Sequence, residues 1–429
     1  MGPSTHCHVL VDWTTNHHGA APGQILAFAR CRNEALRLPA FLQHYRGLGV
    51  DRFFIVDNDS SDGSPEYLAG QPDVRLFCTR SRYREARSGI DWLNALLRAF
   101  GVGAWCVTVD IDELLVYPGS EHTSLRTLTD YLDRRGYEAL SCVLLDLYPA
   151  GRLNECLYRA GDDLLAAAAY FDPGPYEKSP VDLCPGVVIR GGMRARVFYP
   201  EFQTRGVTRK IYDALLDRAA LRAPALRETP WLRARRRRNP PCLTKVPLIR
   251  WNERSEYINS IHWVSQKTVA PDTGALLHFK FLHDFHDRAV QEAARGEYYD
   301  EASEYRKYVR KLSENRDMSL SYEGSTSFEG TTQLVRLGIM NDTDAWPRRE
   351  QRGFRDRLKD GRMSRSHRTR DPWPSVGESH GDSRVRAVQK RDPSSAGFSS
   401  ALSRPGRRSI LHRGQRFFRW KHRIPGWPG

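Results

Sequence analysis

AWCVTVDIDELLVYP, Ala104–Pro118, runs apolar and then meets three acids within four residues, Asp110, Asp112 and Glu113. A short apolar run closed by carboxylates predicts a buried strand over Ala104–Val109 that delivers acids to its carboxyl end. Side chains alternate across an extended chain, so Asp110 and Asp112 share one side while Ile111 faces the core. A hard divalent cation, Mg²⁺ or Mn²⁺, suits two such carboxylates, with the phosphates of a bound molecule completing its shell. Taken alone the triplet is weak, because Asp57-Asn58-Asp59 has the same spacing and a solvated turn explains either one.

The hundred residues around it supply context. Strands are predicted at Ile25–Cys31, Phe53–Val56, Val74–Cys78 and Ala139–Leu145. Between them fall helices: Leu38–Tyr45, with Leu38, Phe41, Leu42 and Tyr45 on one face; a short one from Ser64-Pro65; Gly89–Phe100; and Leu125–Asp133. Alternating strands and helices imply an α/β fold, a Rossmann-like, mostly parallel sheet covered on both faces. Ligands of such sheets bind beyond the carboxyl ends of the strands. Asn33 and Glu34, the turn Asp57–Asp62, and Asp110–Asp112 all stand at those ends.

In this order the residues resemble the nucleotide-sugar-binding half of GT-A glycosyltransferases of the family 2-like group. Cys31-Arg32-Asn33-Glu34, Leu42–Gly49 and Phe54–Gly63 are closest to the subgroup allied to family 92. The resemblance runs on through Gly191–Phe198, Lys245-Val246-Pro247-Leu248, Ile261–Val264 and Leu276–Phe281. It implies a metal-dependent enzyme that moves a sugar from a nucleoside-diphosphate sugar to an acceptor hydroxyl on a glycan or lipid-linked molecule. It implies donor contacts from Asn33, Glu34, Asp57, Asp110 and Lys280, and a metal, Mn²⁺ or Mg²⁺, held by Asp110, Asp112 and His278. Asp57 is followed by Asn58 where many relatives have a second acid, so the nucleotide-base contact rests on Asp57.

Several of these residues have a plainer reading. His278 and Lys280 share a face of the apolar run Ala275–Leu282, where they suit a diphosphate or a metal, or are a packed histidine beside a snorkelling lysine. Gly191-Gly192-Met193-Arg194-Ala195-Arg196 is read as extended, with Arg194 and Arg196 side by side for acceptor or phosphate, or as a hairpin with solvated arginines. His262, inside Ile261-His262-Trp263-Val264, joins them as an acceptor or phosphate contact. An inverting transfer needs a carboxylate base. Glu113, Asp172, Asp182, Glu201, Glu323 and Glu329 are all placed to serve, and the sequence selects none, so the catalytic base is unassigned.

Eight scattered cysteines without zinc spacing read as core residues in a reducing cytoplasm. No apolar run approaches the ~18 residues that span a bilayer. No G-x-x-x-x-G-K-[ST] loop and no G-x-G-x-x-G fingerprint occurs. The net charge of +15 is uneven: residues 346–429 hold 22 Lys/Arg against 7 Asp/Glu, leaving 44 against 44 before them. The division expected is a flexible segment 1–23, a GT-A-like domain 24–345 and a basic, mostly disordered tail 346–429. The domain has a nucleotide-sugar half, 24–150, and an acceptor half with a helical appendage, 151–345. The tail's end, with Ile410, Leu411, Phe417 and Phe418 among basic residues, reads either as a solvated tail with stray aromatics or as an amphipathic helix, interrupted at Gly414, suited to anionic membrane at the inner face. No nucleic-acid motif is present. A nucleotidyltransferase-like enzyme would share the acids, and a non-catalytic binding protein would use only the tail.

Overall fold

Apolar runs with no polar alternation build the centre of the molecule. The computed structural model describes residues 8–14, 20–222, 229–258, 260–315, 317–343 and 417–420. In chain order the strands are β1 His8–Asp12, β2 Ile25–Cys31, β3 Arg52–Asp57, β4 Val74–Cys78, β5 Trp105–Thr108, β6 Glu113–Val116 and β7 Ala139–Asp146, then β8 Tyr170–Phe171, β9 Tyr176–Pro180, β10 Val187–Gly191, β11 Thr244–Arg250, β12 Val269–His278, β13 Thr326–Ser327 and β14 Phe417–Trp420. Ten of them form one sheet in the order β14-β1-β4-β3-β2-β5-β11-β7-β12-β6. The block β4-β3-β2-β5 is parallel throughout, as is the pair β7/β12. β11 enters antiparallel between β5 and β7, and β6 closes one edge antiparallel to β12.

Burial on both faces explains why the central strands carry no alternation. Every residue of β5 and β7 is buried, as is all of β3 after Arg52. The helix Leu38–Leu48 buries Leu38, Phe41, Leu42, Tyr45 and Leu48 and stops at Gly49, whose φ of 96° any side chain would resist. Its Tyr45 hydroxyl donates to the Glu113 carbonyl at 2.9 Å and accepts from Leu115 N–H at 3.1 Å, pinning the start of β6. A second core cluster packs the helix Ile90–Leu96 and its π-helical end, Leu97–Gly101, on the other face.

Four expectations change. The strand does end just before the acids, at Thr108, but Glu113–Val116 is itself a strand, so Asp110–Asp112 is a turn between β5 and β6 and not an extended strand end. Gly191-Gly192 does not lead an extended segment. Gly191 (φ 143°) and Gly192 (φ 63°) turn β10 into a helix, Gly192–Phe198. A Cβ at Gly191 would lie 2.2 Å from the Pro175 carbonyl oxygen, so glycine is required there. Within the segment expected to be flexible, His8–Asp12 is a strand against β4, with Asp12 accepting from buried Arg75 at 2.7 Å. Phe417–Trp420 is a strand on β1 and not part of a helix. The rest of the tail reading, 346–416 and 421–429, lies outside the described residues.

Candidate active site

The carboxyl ends of β2, β3, β5 and β12 meet at a cleft of about 800 Å³. Sheet register decides which side chains meet there. His278, last residue of β12, stands opposite Asp146 of parallel β7 and opposite Glu113 of antiparallel β6. Its Nδ1 lies 2.6 Å from Asp146 Oδ1 and its Nε2 3.3 Å from Asp112 Oδ2. Burial works to discharge the imidazole, but the two carboxylates outweigh it and raise its pKa. Asp112 is held well below the usual carboxylate range against its own burial, chiefly by His278, with Arg288 and Lys280 adding to it.

Two residues earlier the same turn presents Asp110. It pairs with Arg30 at 3.2 Å and with Lys245 Nζ at 2.9 Å. Burial would raise its pKa, yet these two cations hold it at about 2. Lys245 comes from β11, which runs beside β5, and also donates to Glu113 Oε1. Burial favours loss of the ammonium charge, and Asp110 and Glu113 keep it.

Asp112, Glu113 and His278 offer ligand atoms within 4.8 Å of one another, the one such group among the described residues. The fit to a cation is good at two of them. Asp146 takes the Nδ1 side of the ring, the carboxylate brace a metal-ligating histidine needs, and leaves Nε2 facing Asp112. Glu113 is already committed to Lys245 and to the Asp110 N–H at 3.2 Å. Asp110, expected as a ligand, stands on the cleft wall between two cations and outside this group.

Other expected residues divide into those on the cleft and those beneath it. Glu34, Asp110, Asp112, His262, His278 and Lys280 line it. Glu34 accepts from Arg288, and burial outweighs Arg288 and Arg37 to push its carboxyl up to about 7. Lys280 sits 4.6 Å from the Tyr305 ring centre. His262 is neutral: burial lowers its pKa to about 3, and its Nδ1 lies 2.5 Å from the Thr244 carbonyl oxygen, so Nδ1 carries the proton.

Asn33, Asp57, Arg194 and Arg196 do not line it. Asn33, at φ 53°, accepts from Ser61 N–H at 2.9 Å and fastens the β2 loop to the β3 turn. Asp57 caps its own turn, accepting from Ser60 N–H at 3.0 Å and from the Ser60 hydroxyl, while neighbouring Asn58 reaches the cleft. On a helix, positions two apart diverge by about 200°. Arg194 therefore runs inward to Asp146 at 2.7 Å, and Arg196 runs to Asp172 at 2.8 Å and 2.9 Å beneath Tyr322. The predicted side-by-side arginine pair does not form.

None of the six candidate bases lines the cleft. Glu113 and Asp172 are buried in ion pairs, Asp182 pairs with Arg218, and Glu201, Glu323 and Glu329 are exposed elsewhere. Sequence reasoning missed Glu304 and Asp146. Asp146 carried the same signal as Asp110, an acid directly after an apolar strand. Glu304 lines the cleft from the helix Tyr299–Glu314, accepts from the Tyr308 hydroxyl and lies 3.5 Å from Arg194, with no local pattern to mark it.

The cleft is cationic although the body is neutral on average. Ten lysines and arginines line it against four carboxylates. Arg30 Nη1 and Arg288 Nη1 are buried there without a hydrogen-bond partner, as is Glu34 Oε2. Buried donors in native proteins are rarely left unpaired, so two on one cleft wall mark a place for an anionic ligand.

No family model matches the chain. It is similar to a glycosyltransferase family 92 protein of Oryza sativa subsp. japonica, 34% identical over 102 residues, which is 24% of this chain and 17% of that protein. It is also similar to a glycosyltransferase family 92 protein of Ricinus communis, 24% identical over 111 residues, 26% of this chain and 20% of that protein. The chain thus spans about a fifth of the length of these curated relatives. Among solved structures it overlaps a Bacillus anthracis protein described as a glucose-1-phosphate thymidylyltransferase, in complex with a sucrose, at TM-score 0.21 and 9% identity over 32% of this chain and 64% of that one. It overlaps 4-diphosphocytidyl-2C-methyl-D-erythritol synthase at TM-score 0.20 and 16% identity over 34% and 70%. Overlaps so slight carry no weight, whereas both partial sequence matches are to glycosyltransferase family 92 proteins.

Proposed function

We propose that this chain is a GT-A-type glycosyltransferase of the family 2-like group allied to family 92, metal-dependent and inverting, which transfers a sugar from a nucleoside diphosphate to an acceptor hydroxyl. The observation that carries the reading is the meeting of Asp112 and His278, braced by Asp146, with the unpaired guanidinium donors of Arg30 and Arg288 on one cleft. A carboxylate–imidazole pair beside buried cationic donors suits a diphosphate and its cation.

Asp112 and His278 are the residues that would hold the cation, and the imidazole nitrogen favours Mn²⁺ over Mg²⁺, which prefers oxygen throughout. When bound, such an ion offsets the charge that grows on a departing diphosphate. Arg30, Arg288 and Lys280 supply further positive charge at fixed positions, which costs no reorganisation as the glycosidic bond breaks. Arg30 and Lys245 keep Asp110 ionised, and Lys245 orients Asp110 and Glu113 behind the turn. Of the four cleft carboxylates, Asp110 and Asp112 belong to the turn and Glu34 is clasped by Arg288. Glu304 is left to take the acceptor proton. Glu304→Gln should lower transfer by about 10²–10⁴-fold with donor affinity preserved, and a variant with full transfer would remove Glu304 from that role.

The direct test is hydrolysis of a panel of nucleotide sugars with and without Mn²⁺, which requires no acceptor. Metal-dependent release of nucleoside diphosphate supports the reading. Release of pyrophosphate from a nucleoside triphosphate and a sugar phosphate would replace it with a nucleotidyltransferase.

A further inference from the structure

The neutral average of the body conceals a second cationic region. Residues 205–238 hold 11 Lys/Arg against 3 Asp/Glu. The helix Val207–Arg222 within it is turned inside out. Val207, Ile211 and Leu215 recur at four-residue spacing, share one stripe, and are 72%, 58% and 57% exposed. The residue it buries, among those described, is a charged one, and ion pairs hold it to the protein. Asp213 is buried with Arg205 and Arg209 each 3.5 Å away, Lys210 pairs with Glu177 at 3.0 Å, and Arg218 pairs with Asp182 at 3.0 Å. Ion pairs therefore dock this helix, and its apolar stripe is presented outward, opposite to the usual surface helix.

The next helix, Pro230–Arg236, adds Trp231, 57% exposed. It opens the sequence Arg233-Ala234-Arg235-Arg236-Arg237-Arg238, and the chain then runs directly into the cleft wall, which includes Arg237 and Asn239 through Cys242. An outward aliphatic stripe, an exposed tryptophan and a run of arginines on one contiguous stretch match an interfacial membrane contact. Aliphatic and indole groups enter the headgroup boundary while guanidinium groups meet anionic lipid. Residues 233–238 alone carry five arginines and no acid, which favours such a surface over a neutral protein partner.

We propose that residues 207–222 and 230–238 form a membrane-docking face for anionic bilayers, with Val207, Ile211, Leu215 and Trp231 as the inserting side chains. Docking there brings the wall at Arg237–Cys242 to the lipid surface. That the acceptor hydroxyl then arrives from the bilayer rests on the glycosyltransferase reading, whereas the docking itself does not.

Co-sedimentation of the full-length protein with vesicles of phosphatidylcholine, and of phosphatidylcholine with 30% phosphatidylglycerol, tests it against the triple variant I211D/L215D/W231E. All three side chains are exposed and off the cleft, so nucleotide-sugar hydrolysis in buffer should be unchanged and reports that the variant is folded. The basic tail is present in both proteins and cancels in the comparison. At 0.5 M NaCl, where charge is screened within about 4 Å, the triple variant should partition onto anionic vesicles roughly tenfold or more less than the wild type. R233S/R235S/R236S should bind more weakly than the wild type at 0.1 M NaCl and differ little from it at 0.5 M. Equal partition of wild type and triple variant, failure of the wild type to bind anionic vesicles, or a lipid-free dimer that the triple variant breaks would each overturn the proposal. Absent donor hydrolysis in both proteins would instead sink the glycosyltransferase reading, and the vesicle comparison would still decide the docking.

Discussion

Between Ile25 and Asp146 every element turns apolar side chains inward, whereas between Gly192 and Arg222 two charged side chains, Arg194 and Asp213, are buried beside apolar ones. β3 buries Phe53, Phe54, Ile55 and Val56, and the helix Leu38–Leu48 buries five nonpolar residues. The helix Gly192–Phe198 buries Met193, Ala195 and Phe198 but also sends Arg194 in to Asp146, and Val207–Arg222 buries Asp213. Apolar burial is non-directional and tolerates its neighbours, so the first region is a scaffold in its own right. A buried ion pair holds only while both partners are in place, so the second region depends on the first. The contact that joins them, Arg194–Asp146–His278, lies directly behind the proposed metal residues.

The largest effect is expected at the scaffold's own carboxylate. Asp112 sits on a turn outside the strands but is buried against His278, so Asp112→Asn should still fold, with a modest loss of thermal stability. Metal-dependent donor turnover should fall by about 10²-fold or more. Wild-type turnover at saturating Mn²⁺ would remove the metal from this turn.

Next comes the joint between the regions. Asp146→Asn should raise the Mn²⁺ concentration for half-maximal turnover by about 10–100-fold, the usual loss when the brace of a metal-ligating histidine is weakened. Arg196→Ala breaks an ion pair of similar quality with Asp172, away from the cleft. It should lower stability and leave the Mn²⁺ requirement unchanged. If both variants shift the Mn²⁺ requirement alike, Asp146 acts only by holding the fold.

The two regions also differed in how much of them could be read beforehand. β2 and β4 have the bounds expected, and β3, β5 and β7 shift by one residue or two. Continuous burial leaves a local mark in such strands, a run of Val, Ile, Leu and Phe. His278 and Lys280 were legible as cleft residues because one strand end delivers both. Arg194 and Arg196 were misread because a left-handed glycine, invisible to alternation, changes the period from two to 3.6. The brace from Asp146 and the approach of Glu304 depend on register and on packing between distant segments, which no local pattern encodes.

A smaller, pH-dependent effect tests how Glu34 is held. Its folded pKa of about 7 exceeds the ordinary 4.5, so the folded protein binds the extra proton between those values. The stability from this group is complete below about 4.5 and is lost as pH rises through 7. Glu34→Gln lacks that component, so urea unfolding across pH 4.5–8 should show wild type losing stability relative to the variant. Parallel curves would mean that Arg288 and Arg37 neutralise the burial cost.

The smallest effect is expected where family resemblance and geometry diverge. Resemblance gives the nucleotide-base contact to Asp57, yet that carboxylate accepts from Ser60 N–H and hydroxyl and lies off the cleft. Asn58 is on the cleft wall, its amide donating to the Thr79 and Ser81 carbonyls and its oxygen accepting from Arg295 at 2.7 Å. Asp57→Asn keeps an acceptor for Ser60 N–H, so the donor KM should move by less than about threefold. Asn58→Ala removes a group facing the ligand and should raise KM several-fold with kcat nearly constant, the signature of lost uniform binding. The reverse ranking would return the nucleotide to Asp57, and would require the Asp57–Gly63 turn to release Ser60 when donor binds. That would make this corner of the scaffold as dependent on its partners as the ion-paired region is.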